Sequence, residues 1–330
     1  MPDGLLLILP VLLLVLAAEF VNGWTDAPNA IATVISTRVL SPTQALIMAT
    51  VLNVVGTMSG TAVAATIGKG IVKPEVINLT TVGAAMVGII VWSTLAWYYG
   101  LPTSETHALV AGLTGAGLAT AGPSALLWDG WSKVLIGLVF STFLGFFGGL
   151  FIMGTLYRLL ANSRPGAVRR GFGRLQILSA AFMAFSHGSN DGQKFIGAFS
   201  LALLLGGILP EFQIPLWVIL LCALTMGVGT AVGGWRIVRT LGLRITKLEP
   251  VQGFAAETGA ALTIELASRL GIPLSTTHTI TTSIMGVGAT RRLSAVRWGV
   301  TREIVLAWLL TFPASGLVAY LTYLLLIRWV

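Results

Sequence analysis

Cysteine, histidine and charge are all scarce in this sequence. One cysteine, Cys222, occurs in 330 residues, inside an apolar run, so no internal disulfide can form and no thiolate metal site is plausible. Lys and Arg number 20 and Asp and Glu 12, together 10% of the chain, against 55% hydrophobic residues. No soluble domain of this size needs so much apolar surface. With a mean hydropathy of +0.88, the composition is that of a polytopic membrane protein. The net charge of +8 is not interleaved with aromatic residues, so no nucleic-acid partner is expected and the bias reads as loop asymmetry. Helix-length apolar runs outnumber short alternating ones, which excludes a barrel and leaves an all-α bundle in the lipid bilayer. At roughly 20 residues per span, about ten hydrophobic segments fit. The run 5–18 lacks the basic residues that open a signal peptide, having Asp3 instead, and is expected to be a retained first span.

Against this background two polar stretches stand out. Asn22-Gly-Trp-Thr-Asp-Ala-Pro-Asn-Ala30 lies between the apolar runs 5–18 and 30–35. His187-Gly-Ser-Asn-Asp-Gly-Gln-Lys194 interrupts the chain in the same way half a sequence later. Ionisable residues inside membrane segments are costly and mark function by default. With glycine in both and Pro28 in the first, each stretch is expected to unwind its helix.

An internal repeat links them. Gly100-Leu-Pro-Thr-Ser-Glu-Thr-His107 matches Gly271-Ile-Pro-Leu-Ser-Thr-Thr-His278 at an offset of 171, Gly60-Thr-Ala-Val63 matches Gly229-Thr-Ala-Val232 at 169, and Asp26 matches Asp191 at 165. Three landmarks in one order indicate a duplicated half. The first half, 1–160, reads as a broken segment 4–37 with its break at 22–29, spans 43–66 and 80–98, a Pro/Ser/Thr-opened segment 101–122 and a span 133–160. A basic linker, 161–174, follows. The second half, 175–330, repeats the scheme at 175–209, 214–235, 253–270, 272–290 and 303–327.

Five crossings per half would invert the second half relative to the first, and the positive-inside rule tests this. With the linker cytoplasmic, Arg38, Arg158, Arg164, Arg169, Arg170, Arg174, Arg236, Arg239, Arg244, Lys247, Arg291, Arg292, Arg297 and Arg302 all fall inside. Only Lys69, Lys73, Lys133, Arg269 and Arg328 fall outside. The N-terminus is then external, in a plasma-membrane protein of two inverted-topology repeats. Trp97, Tyr98, Tyr99, Trp128, Trp131, Trp235, Trp298 and Trp329 cluster near span ends, as interfacial anchors or as packing residues. Inverted repeats with broken helices are the signature of secondary transporters with a midplane site.

The chemistry of the motifs follows. Gly-Pro-hydroxyl openings at 100–107 and 271–278 suit the N-termini of half-helices, whose free N–H groups and dipole attract an anion. The hydroxyls of Ser104, Thr106, Ser275, Thr276 and Thr277 add donors for a tetrahedral oxyanion. The competing reading is a Pro-kinked helix whose hydroxyls bond back to its own backbone. Asp26, Asn29, Asn190 and Asp191 offer hard oxygens for Na⁺, or carboxylates for protons. Acids beside an anion site repel it unless cations screen them, so cation-coupled uptake is expected, with co-transported Na⁺ or H⁺ and no resident cofactor. Gln193 and Lys194 are further candidates for the anion, and Asp191–Lys194 is otherwise a structural i,i+3 pair. Glu19, Glu105, Glu257 and Glu265 are coupling sites or structural partners. His107, His278 and His187 read as packing histidines, with no HExxH spacing to support a metal.

At these residues the chain resembles the PiT inorganic phosphate transporter family. Its signature is matched by Gly-Trp-Thr-Asp-Ala-Pro-Asn-Ala at 23–30 and Gly-Ser-Asn-Asp-Gly-Gln-Lys-Phe at 188–195. Its Pro-x-Ser-x-Thr-His element is matched at 102–107 and 273–278, and the tracts 233–246 and 253–257 also resemble it. Thr25 stands where many members have Asn, and Gly192-Gln-Lys194 replaces Val-Ala-Asn. The lack of a large central loop is similar to compact prokaryotic members. The resemblance implies phosphate uptake driven by Na⁺ or H⁺, in some members as a metal–phosphate complex, by alternating access of the two halves. A homodimer is compatible with the sequence. The rival readings are a transporter of another oxyanion such as sulfate, an anion channel, and an intramembrane aspartyl hydrolase using Asp26 and Asp191, whose usual Gly-x-Gly-Asp context is missing.

Overall fold

The structure, a computed structural model, describes residues 2–328, and the side chains of residues 8–328. Trp329 lies outside the described residues. Twelve α-helices are formed among them: α1 (Pro2–Ser36), α2 (Pro42–Thr57), α3 (Ala62–Gly70), α4 (Leu79–Tyr98), α5 (Glu105–Ala121), α6 (Trp128–Leu159), α7 (Pro165–Leu205), α8 (Leu216–Val232), α9 (Trp235–Arg239), α10 (Pro250–Arg269), α11 (Thr276–Ala289) and α12 (Trp298–Leu326). A π-turn, Thr240–Arg244, continues α9. Residues 165–174 extend α7 rather than forming a separate linker. Helices α1, α4, α6 and α12 are long and apolar enough to cross a membrane. The pairs α2–α3 and α8–α9 are bent by 67° and 61°. At about 1.5 Å per residue, α5 and α11, with 17 and 14 residues, are too short to span a hydrocarbon core of about 30 Å.

The expected unwinding at 22–29 and at the matched stretch of α7 is not found: both α1 and α7 run through as continuous helix. Pro28 is accommodated inside α1 at the cost of one backbone bond. The physical reason is that unwinding would free several backbone groups in a water-poor interior, whereas the polar side chains find lateral partners without it. The breaks fall instead at residues 58–61 and at Gly233–Gly234.

Inversion is written in the core. Two hydrophobic clusters lie at opposite ends of the bundle. Helix α1 contributes Ile8–Ala18 to one and Ala30–Val34 to the other, in that order. Helix α7 contributes Ala180–Ala184 to the second and Phe195–Leu203 to the first, in the reverse order. The polar residues of both helices fall between the clusters. The packing is symmetric as well: α1 on α8 mirrors α7 on α2, α5 on α12 mirrors α11 on α6, and α4 on α12 mirrors α10 on α6. Each half is therefore laced through the other, because its last helix packs on the half-helix of its partner.

Close approach at the α1–α8 and α7–α2 crossings depends on glycine. A Cβ at Gly23 would run into the Met226 carbonyl, and one at Gly188 into that of Asn53. A Cβ at Gly229 would meet the Phe20 carbonyl, and one at Gly56 that of Phe185. These pairs show that Gly229 is the structural mate of Gly56, not of Gly60. The Gly-Thr-Ala-Val match is thus coincidental, and the true offset in this element is 173.

Outward, α6 shows Phe143, Phe147 and Phe151, and α12 shows Leu309, Leu310 and Leu317, a continuous apolar surface that fits lipid. Arg38, Arg169, Lys247 and Arg297 line one cavity at one end, whereas Lys69, Lys133 and Arg269 line a cleft at the other, so the two sequence-based charge classes separate spatially. Tyr98, Tyr99, Trp128, Trp235 and Trp298 are exposed. Trp97 instead packs on Trp24, with ring centroids 4.3 Å apart, and lies under the Arg236 guanidinium.

Gly23→Ala and Gly188→Ala should each destabilise the protein by about 1–3 kcal/mol through overpacking, while Gly154→Ala, which faces open space, should not. Thermal melting in detergent checks this, and unequal losses at Gly23 and Gly188 would contradict the symmetric crossings.

Candidate functional site

The site forms where α1 and α7 cross between the two apolar clusters and where α5 and α11 begin. Ser104 and Ser275 are the N-caps of these half-helices: each hydroxyl accepts the N–H of the residue three on, His107 at 3.3 Å and His278 at 3.1 Å. That leaves the other first-turn N–H groups of α5 and α11, at Thr106, Thr276 and Thr277, without helical acceptors. The two openings touch, since the Thr106 hydroxyl donates to the Leu274 carbonyl at 2.6 Å.

The aspartates come together as the repeat demands. Asp26, His187 and Asp191 each offer a ligand atom within 4.8 Å of the others. The Thr277 hydroxyl donates to Asp26 Oδ2 at 3.3 Å and the Thr276 hydroxyl to Asp191 Oδ2 at 2.9 Å. Asn29 Nδ2 donates to the hydroxyls of Thr277 at 2.9 Å and Thr276 at 3.4 Å, and its Oδ1 is buried without a partner. Lys194 is fully buried; its ammonium donates to Asp191 Oδ1, to the Thr106 hydroxyl and to the Leu274 carbonyl. His187 Nε2 lies 3.4 Å from Asp191 Oδ2, and its Nδ1 meets Asn53 Oδ1 at 3.0 Å.

Two expected residues point elsewhere. Gln193 Oε1 accepts the Val63 N–H at 3.0 Å, at the start of α3, and Nε2 donates to the Ser189 carbonyl. Asn190 Nδ2 donates to the Ser268 hydroxyl at 3.0 Å and the Ile272 carbonyl at 3.3 Å, at the end of α10. So Asp26, Asn29, Asp191, Lys194, Thr106, Thr276 and Thr277 share one centre, flanked by the caps Ser104 and Ser275.

The other acids form separate networks. Glu105 accepts the hydroxyls of Thr25 at 3.0 Å and Ser93 at 2.8 Å. Glu257 accepts those of Thr33 and Ser179 and the amide of Gln176. Glu19 takes the Asn22 amide at 2.9 Å. Glu265 pairs with Arg269 one turn on, at the rim. His107 and His278 meet edge to face with centroids 4.7 Å apart, and His278 stacks on Trp308 at 3.6 Å. They are packing residues at the repeat interface, away from any carboxylate partner among the described residues. His187 is more than that. Its signal in the sequence is its place four residues before Asp191, on the same helical face.

Electrostatically the centre is uneven. Asp191 is paired with Lys194, whereas Asp26, 3% exposed, takes a hydroxyl from Thr277, lies beside Asp191 and His187, and has no ion pair among the described residues. A buried carboxylate without a paired cation is expensive, so this point calls for positive charge. Facing half-helix N-termini, buried acids and inverted repeats mark the fold of a membrane transporter for an anion.

Comparison with known proteins agrees. The profile of the phosphate transporter family matches residues 22–168 and again residues 161–319. The chain is 45% identical, over 92% of both chains, to the "Probable low-affinity inorganic phosphate transporter" of Rhizobium meliloti (strain 1021). It is 38% identical, over 98% of both, to the protein of that name from Bacillus subtilis (strain 168). Its fold superposes on a solved structure described as "The sodium-dependent phosphate transporter" with a TM-score of 0.88 and 25% identity, covering 98% of this chain and 100% of the other. The chain belongs to the phosphate transporter family: it is a multi-pass membrane transporter and not an enzyme.

Ser104→Ala and Ser275→Ala remove the caps and should each cost about 1 kcal/mol, with Gly at either position costing only a few tenths. Equal melting temperatures for the Ala variants and the parent would show that the caps carry no stability.

Proposed function

We propose that the protein imports inorganic phosphate by symport with a coupling cation, Na⁺ or H⁺, by alternating access around the α1–α7 crossing. The observation that carries this is the meeting of Thr106, Thr276 and Thr277, at two opposed half-helix N-termini, with Asp26 and Asp191. The N-termini and hydroxyls suit an oxyanion. The adjacent acids would repel that anion unless a cation entered with it, and Asp26 is the carboxylate left without one. The names of the relatives support phosphate as the substrate, and that of the solved structure supports Na⁺. The basic end, by the positive-inside rule, faces the cytoplasm and leaves the N-terminus external.

Transport then needs a way in. A cavity of about 820 Å³ at the basic end reaches Ser36 and Thr37, ten residues and about 15 Å along α1 from Asp26. Between them stand hydrogen bonds from Thr37 to Gln176 at 2.9 Å, from Gln176 to Glu257 at 3.0 Å, and from Thr33 to Glu257. Their release would open the site to the cavity, whose arginines draw the anion onward. The lacing of α6 and α12 means that the moving bodies mix both sequence halves.

In proteoliposomes, labelled phosphate should accumulate under an imposed Na⁺ or H⁺ gradient, and Asp26→Asn should reduce gradient-driven uptake by roughly 5- to 150-fold, the scale of a lost coupling interaction. Running the assay with and without Mg²⁺ distinguishes free phosphate from a metal–phosphate complex. Uptake indifferent to both gradients would sink the symport reading, and sulfate competing as well as phosphate would sink the substrate.

A further inference from the structure

We propose that the Lys194 ammonium is a tethered cation filling the second half's cation position, so that this half takes up no exchangeable Na⁺; this rests on the cation-coupled reading above. The argument begins with the pseudo-symmetry. Offset 165 places Asp191 on Asp26 and Lys194 on Asn29. The same offset relates Phe20 to Phe185 and Gly23 to Gly188, whose close contacts are equivalent in the structure. Asn29 and Lys194 are therefore mates, each three residues past its aspartate on the same helical face.

Their surroundings differ: Asn29 donates only to the hydroxyls of Thr276 and Thr277. Around Lys194 Nζ stand a carboxylate oxygen of Asp191, the hydroxyl of Thr106 and, at 3.2 Å, the carbonyl of Leu274. Carboxylate, hydroxyl and carbonyl are a hard-oxygen set of the kind that holds a small hydrated cation. A lysine ammonium is a compact point charge with three donors, and here each donor has one acceptor. The ammonium's three donors are thereby satisfied by protein oxygens. Asn29 brings no charge of its own: its Oδ1 is buried without a partner, as are Asn22 Oδ1 and Glu19 Oε1 on the same helix. A neutral residue at position 194, like that at position 29, would leave Asp191 with His187 and the Thr276 hydroxyl alone. The exchangeable cation thus belongs to the Asp26–Asn29 half, and the fixed one to the Asp191–Lys194 half.

The test uses the full chain, purified in detergent without phosphate, so that it reads cation binding and not transport. Lys194→Asn and Lys194→Gln should melt below the parent in choline chloride and recover as NaCl replaces choline at constant ionic strength, with a Na⁺-dependent rise larger than the parent's. Adding Asp191→Asn to Lys194→Asn should remove that extra rise. A rise no larger than the parent's, or recovery on acidification with Na⁺ inert, would overturn the proposal. Should neither variant fold, the parent decides alone: labelled Na⁺ should saturate at no more than about one ion per chain, as expected for one free oxygen-donor site, and two or more would overturn it. Since neither readout requires phosphate uptake, a transporter indifferent to cation gradients would sink the symport reading while leaving these results to stand or fall separately.

Discussion

Asp26 and Asp191 lie close together in an interior where like charges repel strongly and desolvation is severe, and the architecture around them answers that constraint. Two carboxylates at 3% and 1% exposure are tolerable only with positive charge or donors nearby. The fold supplies these from three sources. The half-helices α5 and α11 aim their N-termini at the centre, threonine hydroxyls donate directly, and Lys194 supplies one full charge. Remove the inverted repeat and the two N-termini would point the same way, leaving one carboxylate unattended.

That arrangement governs the packing outside the centre. A half-helix ending at mid-depth needs a cover, and each is covered by the last helix of the opposite half: α12 over α5 and α6 over α11. The glycines at these contacts match, Gly115 against the carbonyl of Gly316 and Gly286 against that of Phe146. The consequence is mechanical. Under the alternating-access reading proposed above, halves that clasp one another would not rock as units in the order of the sequence. The motion would separate bodies such as α4–α5–α12 and α10–α11–α6, with α1 and α7 as the shared axis carrying the site.

Much of this was legible in the sequence because membrane chemistry is restrictive. A polar residue in an apolar run is rare enough to notice, the Pro-x-Ser-x-Thr-His strings recur intact, and the arginine distribution sorts the loops by end. The helical state of residues 22–30 and 187–194 was not legible. Proline and glycine there read as breaks, yet glycine serves close helix crossing, and side-chain partners such as Thr277 for Asp26 come from residues some 250 positions away. The real bends, after Thr57 and Val232, hide in segments that read as ordinary spans. Nor could spacing alone show that Gln193 turns to α3 or Asn190 to α10, since both sit beside Asp191 in sequence and differ only in helical face.

A duplicated fold need not keep duplicated chemistry. The backbone of the two halves is matched down to individual glycine contacts, whereas the charged and polar residues around the matched Asp26 and Asp191 are not. Asn22 faces His187, Asn29 faces Lys194, and Met86 faces Glu257 under the repeat offsets. Backbone symmetry is held by packing, which tolerates no Cβ at Gly23 or Gly188. Side-chain identity at the centre answers to charge balance, and on the reading proposed above one lysine would supply what a mobile ion supplies on the other side. On the symport reading proposed above, a half that carries its own cation would leave the other as the place where an external ion changes the charge of the site. An asymmetric charge set on a symmetric frame would then let the centre respond to a single gradient.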